Sequence, residues 1–158
     1  MDKSATRIYG NKVRTRVCGL CWEGGKLLMV NHAGLYRHDF WAPPGGGVEF
    51  GQPVSMNLAR EFKEETGLKI SVGEFQFACE FIQLPLHAIE LFFAVTKIGG
   101  KLETGVDPEM GTEKQIIKRV RFLSVREIME LPARHRHGLF EVAETEEKIH
   151  DLRGYLKI

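Results

Sequence analysis

Polar and apolar positions alternate with a period of two over residues 13–20, which predicts a half-buried strand. Glu23-Gly24-Gly25 predicts a turn, and the Lys-Leu-Leu-Met-Val-Asn run at 26–31 predicts the returning strand of a hairpin. Residues 32–44 lose the pattern and predict a loop that ends in Trp41-Ala42-Pro43-Pro44, ahead of Gly45-Gly46-Gly47. Residues 53–66 change to helical periodicity. Pro53 suits a first helical position and Gly67 a left-handed stop just past the end. Strands are predicted at 68–72 and 75–82, separated by Gly73-Glu74, and at 87–97. A turn at 98–101 and a polar loop at 104–111 precede a strand at 115–123. A short helix at 125–131, stopped by Pro132, and a final helix at 138–149 complete the chain. Strands, helix, strands, helices is the order of an α+β fold with a mixed-sheet sandwich, not of a regular βαβ series.

The chain has 158 residues, the size of one domain. A chain of this length buries roughly 70% of its unfolded surface, so neither disulfide nor metal is needed to hold the fold. Hydrophobic residues at 43% and charged residues at 27% exclude disorder, and a net charge of +1 excludes a nucleic-acid arm or a membrane-surface patch. No apolar run approaches the ~20 residues that span a bilayer, and the first residues have no apolar stretch behind their charges. Three cysteines, an odd number, fit reduced thiols and a cytoplasmic location. Cys18 and Cys21 have Cys-x-x-Cys spacing, but on a strand such residues point to opposite faces, so they read as buried thiols.

The helix at 53–66 carries Arg60-Glu61-Phe62-Lys63-Glu64-Glu65. Glutamates usually sit on a solvated helix face, and geometry tests that reading here. With Glu61 at zero, about 100° per residue places Val54 at about 20°, Glu65 at about 40°, Leu58 at about 60°, Phe62 at about 100° and Glu64 at about −60°. Glu61, Glu64 and Glu65 therefore flank the apolar stripe, with Lys63, Arg60 and Met56 on the far side. Three carboxylates at the edge of a core raise each other's pKa unless a cation joins them. Such oxygen-rich clusters suit hard divalent ions, magnesium with a phosphate substrate above all. Gly45-Gly46-Gly47 permits close backbone approach to a ligand, although it lacks the Gly-Lys-Ser/Thr ending of a P-loop and also reads as a plain tight turn.

Residues 46–68 resemble the Nudix box, G-x5-E-x7-R-E-U-x-E-E-x-G-U with U a bulky aliphatic residue. The match runs from Gly46 through Arg60-Glu61, Glu64-Glu65 and Gly67-Leu68. Trp41 and Pro44-Gly45-Gly46 before the box, and Phe122-Leu123-Ser124-Val125-Arg126-Glu127 after a late strand, extend the resemblance over most of the chain. Two positions depart from it: Gln52 stands where the box has its first glutamate, and Phe62 where it has an aliphatic residue.

The resemblance implies an α/β/α sandwich with a mixed sheet (the Nudix fold) over a single domain, 1–158. It implies a hydrolase that cuts a phosphoanhydride bond in a nucleoside diphosphate linked to another moiety, with magnesium, or alternatively manganese, as cofactor. It assigns metal binding to Glu61, Glu64 and Glu65 with the Gly45 backbone, catalysis to the same glutamates oriented by Arg60, and a water-activating role to Glu61. Gly46, Glu49, Trp41 and Glu109 are the candidate substrate-binding residues, and Glu109 or Glu113 the candidate acid borrowed from a distant loop. In the family, the residue at position 52 helps fix the loop and the helix arginine, so glutamine there predicts weaker support for Arg60. Arg14 and Arg16 on one strand face, Tyr36, and Arg134-His135-Arg136-His137 are weaker candidates for the substrate cleft. The loop around 104–113 favours an ADP-ribose or nucleotide-sugar substrate over nucleoside triphosphates. The partner is thus a small nucleotide, not a nucleic acid or a membrane, and a homodimer is compatible with the reading. The rival reading is a Nudix-fold module that binds a nucleotide without cutting it; Gln52 alone favours it. An isoprenoid diphosphate isomerase would want further cleft cysteines and acids, and Cys79 is poor support.

Overall fold

The period-two pattern divides the apolar residues between two cores, one on each face of a sheet. The computed structural model of the chain describes residues 7–36, 38–105 and 117–158. Strand β1 (Lys12–Glu23) turns across Gly24-Gly25 into β2 (Lys26–Tyr36), which pairs on its outer side with β3 (His38–Ala42). The glycine run forms a short strand, β4 (Gly45–Gly47), antiparallel to β1. After helix α1 (Val54–Thr66) come a long hairpin, β5 (Leu68–Gln83) and β6 (Leu86–Gly100), and then β7 (Ile117–Ser124). Helix α2 (Val125–Glu130), a 3-10 turn, α3 (Leu139–Val142), α4 (Glu146–Asp151) and strand β8 (Gly154–Lys157) finish the chain. The sheet order is β3-β2-β1-β6-β5-β8, with β4 also on β1 and β7 on β2. β1 runs parallel to β6, and β8 parallel to β5; the other pairs are antiparallel, so the sheet is mixed.

On one face Val17, Cys21, Leu28, Ile70 and Val95 pack under Leu58 and Phe62 of α1. On the other Cys18, Leu20, Leu27, Met29, Phe77 and Phe92 pack under Val125, Ile128, Leu139, Phe140 and Ile149 of the C-terminal helices. This is the expected α/β/α sandwich. Complete burial of Leu58 or Phe62 stabilises the fold by about 1.5–3 kcal/mol each. The aromatic ring of Phe62 fits because it lies over Gly19, where a Cβ would stand 2.5 Å from it. Cys18 and Cys21 serve opposite cores, and all three cysteines are buried free thiols. Among the described residues no helix is long and apolar enough to cross a membrane.

Several elements differ from the sequence reading. Most of the loop expected at 32–44 is the end of β2 and all of β3, because Asn31↔Trp41 and His32↔Phe40 pair across the sheet. The two strands expected at 68–72 and 75–82 are one, with register shifts between Val72 and Phe77 that absorb Gly73-Glu74. The turn expected at 98–101 is taken up by β6, whose Gly100 pairs with Leu68. Pro53 is the N-cap of α1, so the helix begins at Val54, one residue later than predicted. Gly67 ends α1 as expected, at φ 74°. The single helix expected at 138–149 is two, since the Thr145 side chain accepts from Lys148 N–H and starts α4 afresh. Strand β8 has four residues, too few to show a period.

Candidate active site

The amphipathic turn of α1 determines where its carboxylates lie. Glu65 is 6% exposed and its Oε2 accepts the Gly45 N–H at 2.9 Å. Glu61 is half-buried against Gly46, where a Cβ would come within 2.2 Å of the Glu61 carboxyl carbon. Only glycine permits that approach, so β4 and α1 meet backbone to carboxylate. Glu64 is half-buried one turn further on. The far end of α1 is fastened by the chain leaving β6: Glu103 N–H reaches the Thr66 carbonyl and Gly105 N–H the Glu65 carbonyl, both at 2.9 Å.

Arg60, expected on the far side of the helix, turns inward instead. Its Nη2 lies 3.0 Å from Glu61 Oε1 and 3.1 Å from Glu49 Oε1, and its Nη1 lies 3.0 Å from Glu64 Oε2. The helix's own arginine thus supplies one positive charge among the carboxylates. Burial works against its charge, but Glu61, Glu64 and Glu49 outweigh burial and raise its pKa. Three carboxylates hold it, and among the described residues the Gln52 side chain takes no part. Glu49, expected among the substrate contacts, faces Arg60.

Glu49, Glu61 and Glu64 surround one guanidinium, and Glu65 stands beside them on the Gly45 amide, an excess of hard oxygen donors that fits a small divalent cation in chemistry and charge. Among the described residues no three acidic, histidine or cysteine groups yet converge as a ready cage. Glu61 and Glu64 are drawn to Arg60 and Glu65 to the Gly45 amide, so ligation requires them to turn.

Across β1 from this cluster a cleft opens on the other face, lined by Arg14, Arg16, His32, Phe40, Phe81, Glu90 and His137. Strand alternation aims Arg14, Arg16 and Cys18 into it. The Arg14 guanidinium stacks over the Tyr9 ring at 4.0 Å. Arg16 Nε pairs with Glu90 Oε1 at 3.2 Å, while Glu90 Oε2 meets His137 Nε2 at 2.6 Å. His137 Nδ1 accepts the Leu139 N–H at 3.1 Å, so its Nε2 carries the proton and donates to Glu90. Burial pushes the Glu90 carboxyl up, but His137 and Arg16 overcome burial and hold it at about 2. Burial first, then the charge of Arg16, lowers His32 to about 3, so its imidazole is neutral. Burial likewise raises the Cys18 thiol, and takes Cys79 to about 12, so neither is a nucleophile.

Trp41 is not a cleft residue. At 6% exposed it belongs to the core under the C-terminal helices, and its neighbour Phe40 presents the aromatic surface. Arg136 is a structural clamp on Glu141 and on the carbonyls of Met129 and Leu131. Glu109, Glu113 and the side chain of Tyr36 lie outside the described residues. The Glu90–His137 pair escaped the sequence reading. Its one signal was an acid between buried positions of a core strand, which demands a partner.

The comparisons with known proteins agree with this architecture. The chain is 32% identical over 108 residues to an ADP-ribose pyrophosphatase of Methanocaldococcus jannaschii, covering 67% of this chain and 63% of that relative's length. A NUDIX hydrolase of Nitrosomonas europaea superposes with a TM-score of 0.70 at 20% identity, over 89% of this chain and 88% of the other. A MutT protein of Methanosarcina mazei does so with a TM-score of 0.68 at 18% identity, over 89% and 96%. These two likenesses concern the fold. The family model of the NUDIX domain matches residues 10–144, and the chain belongs to that family.

Proposed function

We propose that the protein is a divalent-metal-dependent pyrophosphohydrolase. It cleaves the phosphoanhydride bond of a nucleoside diphosphate linked to a second moiety, of the ADP-ribose or nucleotide-sugar type. The observation that carries the reading is the excess of carboxylates over the single guanidinium of Arg60, set against glycine backbone. The name of the archaeal relative favours the substrate class.

In this reading Glu61, Glu64 and Glu65, with the Gly45 backbone, hold magnesium, for which manganese substitutes. When bound, the ion would supply charge neutralisation at the diphosphate. Glu61 orients the attacking water and takes its proton. Arg60 fixes the approach of Glu61 and Glu64. Arg16, within electrostatic reach of Glu61 and Glu65, carries positive charge from the cleft toward the diphosphate, with Arg14 beside it. Phe40 and Phe81 offer flat surfaces to the base or the second moiety. Glu109 or Glu113 is the proposed distant acid. We take residues 1–158 as one domain that acts in the cytoplasm on a small nucleotide, with neither a polymer nor a membrane as partner.

A panel of nucleoside triphosphates, nucleotide sugars and ADP-ribose, each with magnesium or manganese and read by product analysis, tests the proposal. Metal-dependent release of AMP and ribose 5-phosphate from ADP-ribose, or of the matching monophosphates from nucleotide sugars, is the expected result. Binding without turnover across the panel overturns it in favour of a nucleotide-holding module.

A further inference from the structure

Resting on the proposed metal-dependent reading, we infer that Glu49 and Asn57 divide between them the work of the carboxylate that this chain lacks at position 52. In the box that the chain resembles, that residue secures both the loop and the helix arginine. Here Gln52 is exposed, and its side chain makes no hydrogen bond or ion pair among the described residues.

The loop is secured by Asn57, a fully buried residue of the first turns of α1. Its Oδ1 accepts the Glu49 N–H at 2.9 Å, and its Nδ2 donates to the Pro53 carbonyl at 3.0 Å and to the Gln52 carbonyl at 3.4 Å. One amide thus ties three points of the turn between β4 and α1. It also fixes the backbone from which the Glu49 side chain projects.

The arginine is secured by Glu49. Among the described residues the Nε of Arg60 is buried without an acceptor, so the orientation of the guanidinium depends on its two terminal nitrogens. Nη1 serves Glu64; Nη2 serves Glu61 and Glu49 together. Glu61 and Glu64 are the groups that must turn when a divalent cation binds. Glu49 is then the carboxylate left to keep Arg60 in place. Without it, Arg60 competes with the cation for Glu61 and Glu64. Glu49 is a positioning residue that acts through Arg60, and at 45% side-chain exposure it is replaceable without loss of the fold.

The test is a double-mutant cycle of Glu49→Gln, Gln52→Glu and the two combined, on the full chain. It has three readouts: turnover, magnesium affinity by calorimetry without substrate, and the order parameter of the Arg60 Nε–H group by NMR, assigned with Arg60→Lys. Glu49→Gln is expected to weaken magnesium binding and turnover by about tenfold or more, as removal of a support to metal ligands does, and to loosen Arg60. Gln52→Glu alone should stay within about twofold, and the combination should return to within about threefold of the parent because the new carboxylate reaches Arg60. Glu49→Gln within about twofold of the parent, or a loss that Gln52→Glu leaves unrescued while Arg60 stays rigid, overturns the inference. In the second case Glu49 would touch the ion or substrate itself. Calorimetry and NMR need no turnover, so failure of the hydrolase reading is separable from failure of this one.

Discussion

The two faces of β1 handle charge in opposite ways. On the α1 side, Glu49, Glu61 and Glu64 share one arginine, half-open to solvent, Glu65 takes the Gly45 amide, and a negative excess is left over. On the cleft side, Glu90 is buried but each of its oxygens is spoken for, by Arg16 and by His137, and the nearby His32 is neutral. The first face has oxygen donors to spare for a cation. The second is already balanced, with a slight positive excess from Arg14. Stability is concentrated where the charges are paired, and the capacity for chemistry where they are not.

Glu90→Gln should produce the largest effect, because it strands the Arg16 charge in a buried site. A loss of about 3 kcal/mol in chemical denaturation is expected. A change below about 0.5 kcal/mol would mean that the cleft pairing is not structural. The opposite behaviour is expected across the strand. Glu64→Gln or Glu65→Gln should lower turnover by about 10²-fold while leaving stability unchanged or improved, since crowding is relieved. Normal turnover in both variants, or clear destabilisation, would erase the contrast between the faces.

The contrast sharpens with metal. Magnesium at a tenfold excess over its Kd should stabilise the parent by about 1.4 kcal/mol, seen as a rise in Tm beyond that given by sodium chloride at matched ionic strength. The increment should shrink in Glu64→Gln and should survive in Glu90→Gln. Equal shifts from magnesium and sodium would reduce the α1 cluster to an ordinary solvated surface.

The smallest expected effect is one of pH. His32 has a folded pKa of about 3, far below its ordinary 6.5, so the unfolded chain binds the extra proton first as pH falls. Its contribution is complete above pH ~6.5 and is lost progressively down to pH ~3. Glu90, also depressed, adds a loss between its ordinary 4.5 and about 2. Between pH 7 and 5.5 the His32 contribution should fall by about 1 kcal/mol, and His32→Asn should flatten that part of the curve. An unchanged slope would place the proton elsewhere.

The carboxylate face was legible in the sequence and the cleft largely was not, for a physical reason. Glu61, Glu64 and Glu65 lie on one helix, where spacing alone gives direction. Glu90 and His137 come from β6 and the segment before α3, and nothing local in either residue announces the other. Arg60 was misplaced because an ideal helical wheel gives the direction of Cβ, whereas a long guanidinium bends toward charge. The layers followed from alternation at Val17, Cys18, Leu27 and Leu28. β3 did not, because Asn31 and Trp41 are held by a partner strand and not by their own pattern. Trp41 was an aromatic with two readings, and burial selected the packing one.

The parallel pairing of β1 with β6 has a consequence for how the molecule assembles. Lys12 meets Leu86 and Cys21 meets Val95, so β1 gains its long partner only after most of the chain has been made and brought round. The hairpin of β5 and β6, by contrast, closes over a few residues around Leu84-Pro85 and costs little chain entropy. It forms an early template on which β1 condenses late, as non-local contacts do. β4 is held in the sheet by β1, and through Gly45 and Gly46 it aims Glu65 and Glu61. Helix α1 alone sets the spacing of the carboxylates, but Glu61 and Glu65 meet the glycine backbone only when β4 joins the sheet, so loss of those contacts accelerates unfolding more than it slows folding.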